Sequence, residues 1–379
     1  MLRSVSSTSS LARNDHEAEK ADPQYRAEHL RSVFVRLRPI RKDQIAFVSL
    51  ESNALESDLK LIHDALEGRG YRLVNVLTSF EKNSLWMNFL YFLNTIRQIF
   101  VINTSALVII SDNNYVISRF KRKGVKVLQV WHAAGAIKKF GNAIHREYPI
   151  ANYDQVICNG AYWKKPYSEA FNVSEEQVSV TGMPRLDHLL DDAFIRSSRE
   201  KLFAQHPEWK GKKLLLYAPT FRGNIYEGMK QVPIDLHQLM KKLGSGYALL
   251  YKLHPLLKHE ELSDDRRIYN MNDADLHELF SVADVLISDF SSIIFDFSLL
   301  DKQICYYVPD LDQYMEERGC FVDYAELTQD CLASDEDALA ELILSGKNGQ
   351  SAMERHPYME HRDGHNLDRV LALIDDMIN

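Results

Sequence analysis

The sequence predicts an α/β protein made of two doubly wound, Rossmann-like domains facing a central cleft. Three observations lead there. The chain has 379 residues, more than one hydrophobic core usually serves. Apolar runs of strand length alternate with helix-period segments in both halves, the pattern of parallel strands joined by crossover helices. A charged, Pro-containing segment, "DDAFIRSSREKLFAQHPEWKGK" (191–212), falls between the two runs and reads as a hinge. The expected domains are 1–190 and 191–379, with 1–40 a tail and basic segment.

In the first half the expected strands are "IAFVSL" (45–50), "YRLVNVL" (71–77), "ALVIISD" (106–112), "VKVLQVW" (125–131), "QVICNG" (155–160) and "VSVTG" (178–182). Between the first two, "LESDLKLIHDALEGRG" carries apolar residues at helical spacing and a closing glycine. The second half repeats the plan with "KLLLYAPT" (213–220), "YALLYKLHP" (247–255), "RRIYN" (266–270), "DVLISD" (284–289) and "QICYYVP" (303–309). Ligands of such sheets sit at the carboxyl ends of the strands, and helix N-termini there favour phosphate. That is the plan of two-domain nucleotide-dependent transferases.

Composition narrows the class. With 45% hydrophobic and 26% charged residues the chain has the make-up of an ordinary globular protein. No run of 18 or more apolar residues occurs, so no membrane span is expected, and the first 20 residues lack the apolar core of a secretory signal. Cys158, Cys305, Cys320 and Cys331 have no metal-site spacing and fit a reducing compartment. Residues 1–190 carry 25 Lys+Arg against 19 Asp+Glu, net +6, and the remainder 20 against 34, net −14. A basic half beside an acidic half points to an anionic partner for the first. Basic stretches without a reading motif argue against nucleic acid.

The residues that follow each strand form a short list. After 125–131 come His132, Gly135, Lys138 and Lys139; after 178–182 comes Arg185. The second half adds Pro219, Thr220 and Arg222, then Lys252 and His254, then Ser288, Asp289, Ser291, Ser292 and Asp296. Cations and hydroxyls dominate and no close carboxylate pair occurs, which suits gripping a phosphoryl donor, where catalysis is mostly positioning and charge stabilisation. In "VLISDFSSIIFDFSLLD" a buried strand ends in Ser-Asp and two serines open an apolar helix. That is either a phosphate seat or a plain N-cap. Imidazole titrates near neutrality and takes a proton from an attacking hydroxyl, so His132 and His254 are the candidate catalytic groups. The triplets Asp273-Ala-Asp275 and Asp310-Leu-Asp312 admit a metal reading, but Asp273 or Asp275 more simply caps the next helix. No metal site is assigned. No cofactor is expected, and a need for Mg2+ is left open.

The motifs WHxxGxxKKFG, GMPRLD, APTFRG, KLHP and SDFSSIIFD, in this order, resemble the CDP-glycerol glycerophosphotransferase family of teichoic acid synthesis. The resemblance implies a GT-B fold, CDP-glycerol as donor, direct displacement without a covalent intermediate, and peripheral attachment to the cytoplasmic face of the cell membrane. It implies that His132 is the general base. Arg185, Pro219, Thr220, Arg222, Lys252, His254, Ser291, Ser292 and Asp296 would contact the donor, and Gly135, Lys138 and Lys139 belong to the acceptor-side loop. Many polymerising members read Trp-His-Gly-Thr-Pro where this chain has Trp131-His132-Ala133-Ala134-Gly135. This form, with the compact length, is more similar to the primases, which place the first glycerol phosphate on the N-acetylmannosamine of an undecaprenyl-diphosphate-linked disaccharide and release CMP. A short-chain glycerol- or ribitol-phosphate polymerase of the family is the alternative. A GT-B glycosyltransferase using a nucleotide sugar is another.

A polyprenyl acceptor requires a membrane-surface site. "NSLWMNFLYFLNTIRQIF" (83–100) is too interrupted to span but rich in aromatics, and Trp86, Phe89 and Phe92 are the expected membrane contacts. Stretches 31–42 and 119–126 each carry five cations and no acid, which completes a two-signal pattern for an anionic surface. Periodicity alone fits a buried crossover helix equally well.

Overall fold

Parallel strands buried on both faces account for most of the architecture. The computed structural model describes residues 38–79, 85–224, 228–254, 257, 261–350, 353 and 355–379. The tail, most of the basic stretch 31–42 and the start of 83–100 lie outside these. The strands are β1 (Arg41–Ser49), β2 (Arg72–Leu77), β3 (Ser105–Ile110), β4 (Lys126–Gln129), β5 (Gln155–Cys158), β6 (Val178–Val180), β7 (Lys213–Tyr217), β8 (Arg222–Asn224), β9 (Gly228–Lys230), β10 (Tyr247–Tyr251), β11 (Ile268–Asn270), β12 (Val285–Ser288), β13 (Gln303–Tyr307) and β14 (Leu332–Ala333). They form two six-stranded sheets, in the orders β2-β1-β3-β4-β5-β6 and β11-β10-β7-β12-β13-β14. Pairing is parallel, as in β10–β7, where Tyr247 faces Lys213, and β12–β13, where Val285 faces Gln303. A separate antiparallel pair, β8–β9, follows β7. Every residue of β12 and β13 is buried, which is why these strands read as unbroken apolar runs.

Counted from β7, the second sheet has the strand order of dinucleotide-binding folds. Its order reverses between β7 and β12, so the ligand crevice belongs at their carboxyl ends. In the first sheet the reversal lies between β1 and β3. There Asp112 accepts the hydroxyl of Ser49 at 3.0 Å and the N–H of Leu50 at 2.7 Å.

Helices form where apolar spacing and caps agree. Leu236–Leu243 buries Leu236, Leu239, Met240 and Leu243 on one stripe; Asp235 caps it by accepting the N–H of Gln238, and Gly244 ends it with φ of 81°. That stripe packs into a core with Leu215, Leu249, Ile287 and Leu339, each fully buried aliphatic contributing about 1.5–3 kcal/mol.

Contacts group the chain into two compact units: residues 1–130, 148–155 and 374–379 in one, 131–147 and 156–373 in the other. The segment 191–212, read as a hinge, lies within the second unit. It contains helix Asp192–Gln205, which buries Ser198 and Leu202, followed by fully buried Trp209. Its exposed Arg196, Glu200 and Lys201 supply the charge that made it look like a linker. All eleven expected strands are present. The expected runs overshoot at their carboxyl ends, Ala218–Thr220 and Lys252–His254, where polar residues leave the sheet. Strands β8, β9 and β14 are only two or three residues long, too short to carry an apolar pattern.

Candidate active site

The second unit holds a cavity of about 500 Å3 at the β7–β12 crevice, lined from five segments by His132, Lys138, Thr220, Lys252, His254, Leu276 and Ser291, among others. No carboxylate is among its described lining residues. The loop after β4 enters it through a backbone reversal: Trp131 has φ of 54°, a left-handed value that a bulky residue adopts only when its surroundings hold it there. The holding contacts are specific. The Trp131 ring stacks on Phe140 at 4.7 Å and meets Phe171 edge-on at 5.2 Å. Tyr167 donates to the carbonyl of Ala133 at 3.1 Å, and Asn159 donates to that of Ala134 at 2.7 Å. His132 is left exposed at the cavity wall, its ring 3.9 Å from that of Trp131.

Gly135 is a steric requirement of this loop. A Cβ there would stand 2.5 Å from Trp163 and 2.6 Å from Phe295. Gly135→Ala is expected to cost about 1–3 kcal/mol through overpacking, with turnover falling as the loop carrying His132 shifts; urea unfolding and initial rates measure the two effects. Farther along, Lys138 forms an isolated antiparallel bridge with Cys320, the N–H of Lys139 donates to the carbonyl of Gly319 at 3.2 Å, and that of Phe321 to the carbonyl of Ile137 at 2.8 Å.

On the strand-end wall, Thr220 follows β7 and Asp289 follows β12. Asp289 is wholly buried and accepts the Thr220 N–H at 2.9 Å, the Thr220 hydroxyl at 2.9 Å and Nη1 of Arg222 at 2.8 Å. Arg222 also forks onto Asp310 at 2.6 and 2.9 Å, and its guanidinium lies 4.7 Å from the Tyr314 ring. Ser288 donates to the carbonyl of Ala218 at 2.7 Å. The polar atoms of Ser288, Asp289 and Arg222 therefore bind protein groups and brace the wall that Pro219, Thr220, Ser291 and Ser292 present to the cavity. The Asp310 triplet supplies an ion-pair partner, and Asp275 caps helix Leu276–Val282 by accepting the N–H of Glu278. Among the described residues no group of three or more His, Cys, Asp or Glu is arranged to hold a metal ion.

Lys252 and His254 leave β10 side by side in the lining. Lys252 Nζ donates to the carbonyls of Asn272 and Ala274 at 2.8 and 2.7 Å, and burial lowers its pKa. His254 meets Phe221 edge-on at 4.8 Å. Burial and then the charge of Lys138 lower its pKa too, which favours the uncharged ring.

Arg185 and Asp296 lie outside the cavity lining but face one another, Nη2 to Oδ2 at 3.9 Å. Two histidines that the motif reading passed over join them: His277 Nε2 is 3.5 Å from Asp296 Oδ2, and His188 Nε2 is 2.7 Å from His277 Nδ1. Burial, helped by His277, holds the pKa of His188 down to about 4 from 6.5. The unfolded chain thus takes this proton more readily than the native state. The resulting stability is full above pH 6.5 and is lost as pH falls toward 4, with His254 acting in the same direction. Thermal midpoints should fall across that window, and His188→Phe should flatten the fall.

With this geometry in place, comparison with known proteins is informative. Residues 30–376 match the family model described as CDP-glycerol:poly(glycerophosphate) glycerophosphotransferase. The chain is 29% identical over 365 residues to a teichoic acid ribitol-phosphate primase of Bacillus spizizenii, covering 90% of this chain and 93% of that one. It is 29% identical over 293 residues to a teichoic acid glycerol-phosphate primase of Bacillus subtilis, covering 73% and 75%. A solved structure of the wall teichoic acid polymerase TagF superimposes with a TM-score of 0.68 at 21% identity over 98% of each chain, so the two doubly wound sheets are those of a GT-B fold. The chain is an enzyme of the CDP-glycerol:poly(glycerophosphate) glycerophosphotransferase family.

Proposed function

We propose that the enzyme transfers one glycerol phosphate from CDP-glycerol to the N-acetylmannosamine hydroxyl of an undecaprenyl-diphosphate-linked disaccharide, releasing CMP, in building the teichoic acid linkage unit. The observation that carries this reading is the cavity at the β7–β12 crevice, where an exposed imidazole, three lysines and hydroxyls converge with no carboxylate among the described lining residues. His132 takes the proton of the acceptor hydroxyl as its oxygen attacks the glycerol-bearing phosphorus. The new P–O bond forms as the bond to the CMP phosphate breaks, and CMP leaves with the electron pair. Lys138, Lys252, Ser291 and Ser292 face the charge that builds up on the diphosphate. The test is incubation with CDP-glycerol or CDP-ribitol and a short-chain analogue of the lipid disaccharide, with mass analysis. Addition of one glycerol phosphate supports the reading; a ladder of units replaces primase with polymerase. Addition of ribitol phosphate from CDP-ribitol alone would support a second reading, a ribitol-phosphate primase, which the match to such an enzyme along 90% of the chain favours.

The acceptor's lipid implies a peripheral site on the cytoplasmic membrane face. No helix among the described residues is long and apolar enough to cross a membrane. Helix Leu85–Thr104 buries Asn94, Gln98, Ile99 and Ile102 yet exposes Trp86 (64%), Phe89 (48%), Phe92 (53%) and Ile96 (42%), a stripe suited to an interface. The three aromatics are thus outside the core, and the buried-helix alternative accounts only for the opposite face. Changing Trp86, Phe89 and Phe92 to serine should leave the thermal midpoint unchanged while abolishing flotation with anionic vesicles. Turnover on soluble acceptors should persist. Loss of the fold would mean that the stripe is core.

A further inference from the structure

One partly buried cluster has no part in the transfer as described. Its members come from three segments of the second unit: His188 from the 3-10 helix Pro184–Leu190, His277 from the first turn of helix Leu276–Val282, and Asp296 from helix Ile293–Ser298. Each segment adjoins something that matters. Leu276, Ser291, Ser292 and Ile293 line the cavity one step from the cluster, and Arg185 shares a helix with His188.

Proton accounting gives the cluster a direction. Asp296 is 5% exposed, its Oδ1 has no hydrogen-bond partner, and only Oδ2 faces Arg185 and His277. An ionised carboxylate only accepts, so His277 Nε2 carries the proton turned to Asp296. Donation from His188 Nε2–H to His277 Nδ1, 2.7 Å away, completes a chain in which each ring holds one defined tautomer. The surroundings favour that state: burial keeps His188 uncharged, Arg185 opposes a further cation, and Asp275, Asp296 and the rings of Phe194 and Phe280 complete the environment.

We propose that His277 and His188 are positioning residues for the nucleotide donor: the linked imidazole pair fixes the rotation of the Asp296 carboxylate, which holds Arg185 in place for the donor's diphosphate. This rests on the reading of Arg185 as a donor contact. With Oδ1 unpaired, Arg185 and His277 are the groups that restrain the carboxylate among its described contacts. A displaced guanidinium would weaken donor binding while leaving proton abstraction by His132 untouched.

The test uses the full chain with CDP-glycerol, CDP-ribitol and a short-chain acceptor. His277→Phe removes both hydrogen bonds and is expected to raise KM and Kd for the donor by about 10- to 100-fold, the scale of loss when a support lets a binding group drift. The acceptor KM should be unchanged and kcat nearly so. His277→Gln, which keeps an N–H toward Asp296, should restore most of the donor affinity. Nitrogen–proton NMR of the histidine rings should place a proton on Nε2 of both at pH 7. An unchanged donor KM in His277→Phe overturns the proposal, as does a loss shared equally with acceptor KM, or a charged ring at pH 7. If His277→Phe fails to fold, His277→Gln and the NMR decide: donor affinity far below wild type in a folded Gln variant overturns it. A wild-type chain that binds neither donor overturns the donor reading and this proposal together, whereas wild-type binding with unaltered variant binding overturns this proposal alone.

Discussion

His132→Ala is expected to lower turnover by about 100- to 10,000-fold, the usual worth of an aligned base, with CDP-glycerol binding largely intact. The attacking hydroxyl is a poor nucleophile until its proton leaves, and His132 is the exposed imidazole of the cavity wall. Its approach is fixed by the left-handed backbone at Trp131 and by the Trp131–Phe140 stack. His254, half-buried with its pKa lowered, stands on the β10 side of the same cavity. His254→Ala and Lys252→Ala should therefore weaken donor affinity and rate together. Calorimetry with CDP-glycerol and saturation kinetics separate the two patterns. Near-normal kcat in His132→Ala would move the role of base elsewhere.

Asp289→Ala should be the most damaging of the wall substitutions, costing about 3–5 kcal/mol, the range for breaking a buried ion pair from one side. Three hydrogen bonds go at once, from the N–H and hydroxyl of Thr220 and from Nη1 of Arg222, and the guanidinium loses its buried counter-charge. The carboxylate is wholly buried, so water does not replace it without opening the crevice. Asp310→Ala should cost less, because that side chain is 25% exposed and water reaches the vacated position. Urea unfolding of both variants checks the order. Equal losses would mean that Asp289 is no more essential to the wall than its neighbour.

The fold was legible because its signal is local. A strand buried on both faces, such as Val285–Ser288, shows as a continuous apolar run whatever surrounds it, and the crevice follows from strand order alone. The gathering of several candidate site residues was legible for the same reason: His132, Thr220, Lys252, His254 and Ser291 each follow a strand and line one cavity. What sequence could not give is pairing at a distance. Arg222 meets Asp310 across 88 positions, and His188 meets His277 across 89; no spacing rule connects them. Read from sequence, Arg222 is a donor contact and Asp310 half of a candidate metal triplet. The helix Leu85–Thr104 was ambiguous for another reason. It has apolar residues nearly all round, and only packing shows that Asn94 and Gln98 turn inward while Trp86 and Phe92 turn out.

The bridge between Lys138 and Cys320 turns one thiol into a clock for the loop. Cys158, Cys305 and Cys331 are buried, and burial pushes the first two thiols up to about 12. Cys320 is half-buried, and its thiol is pushed up to about 11 by burial, against the pull of Lys138 and Lys139. Only the thiolate reacts with an alkylating reagent, so at pH 8 roughly one Cys320 in a thousand is reactive at any instant. Peeling the 137–139 strand away from 319–321 would admit water and raise that fraction. The rate of alkylation at Cys320, followed with and without a bound nucleotide, therefore counts openings of the loop that carries His132, without a label placed in the cavity itself.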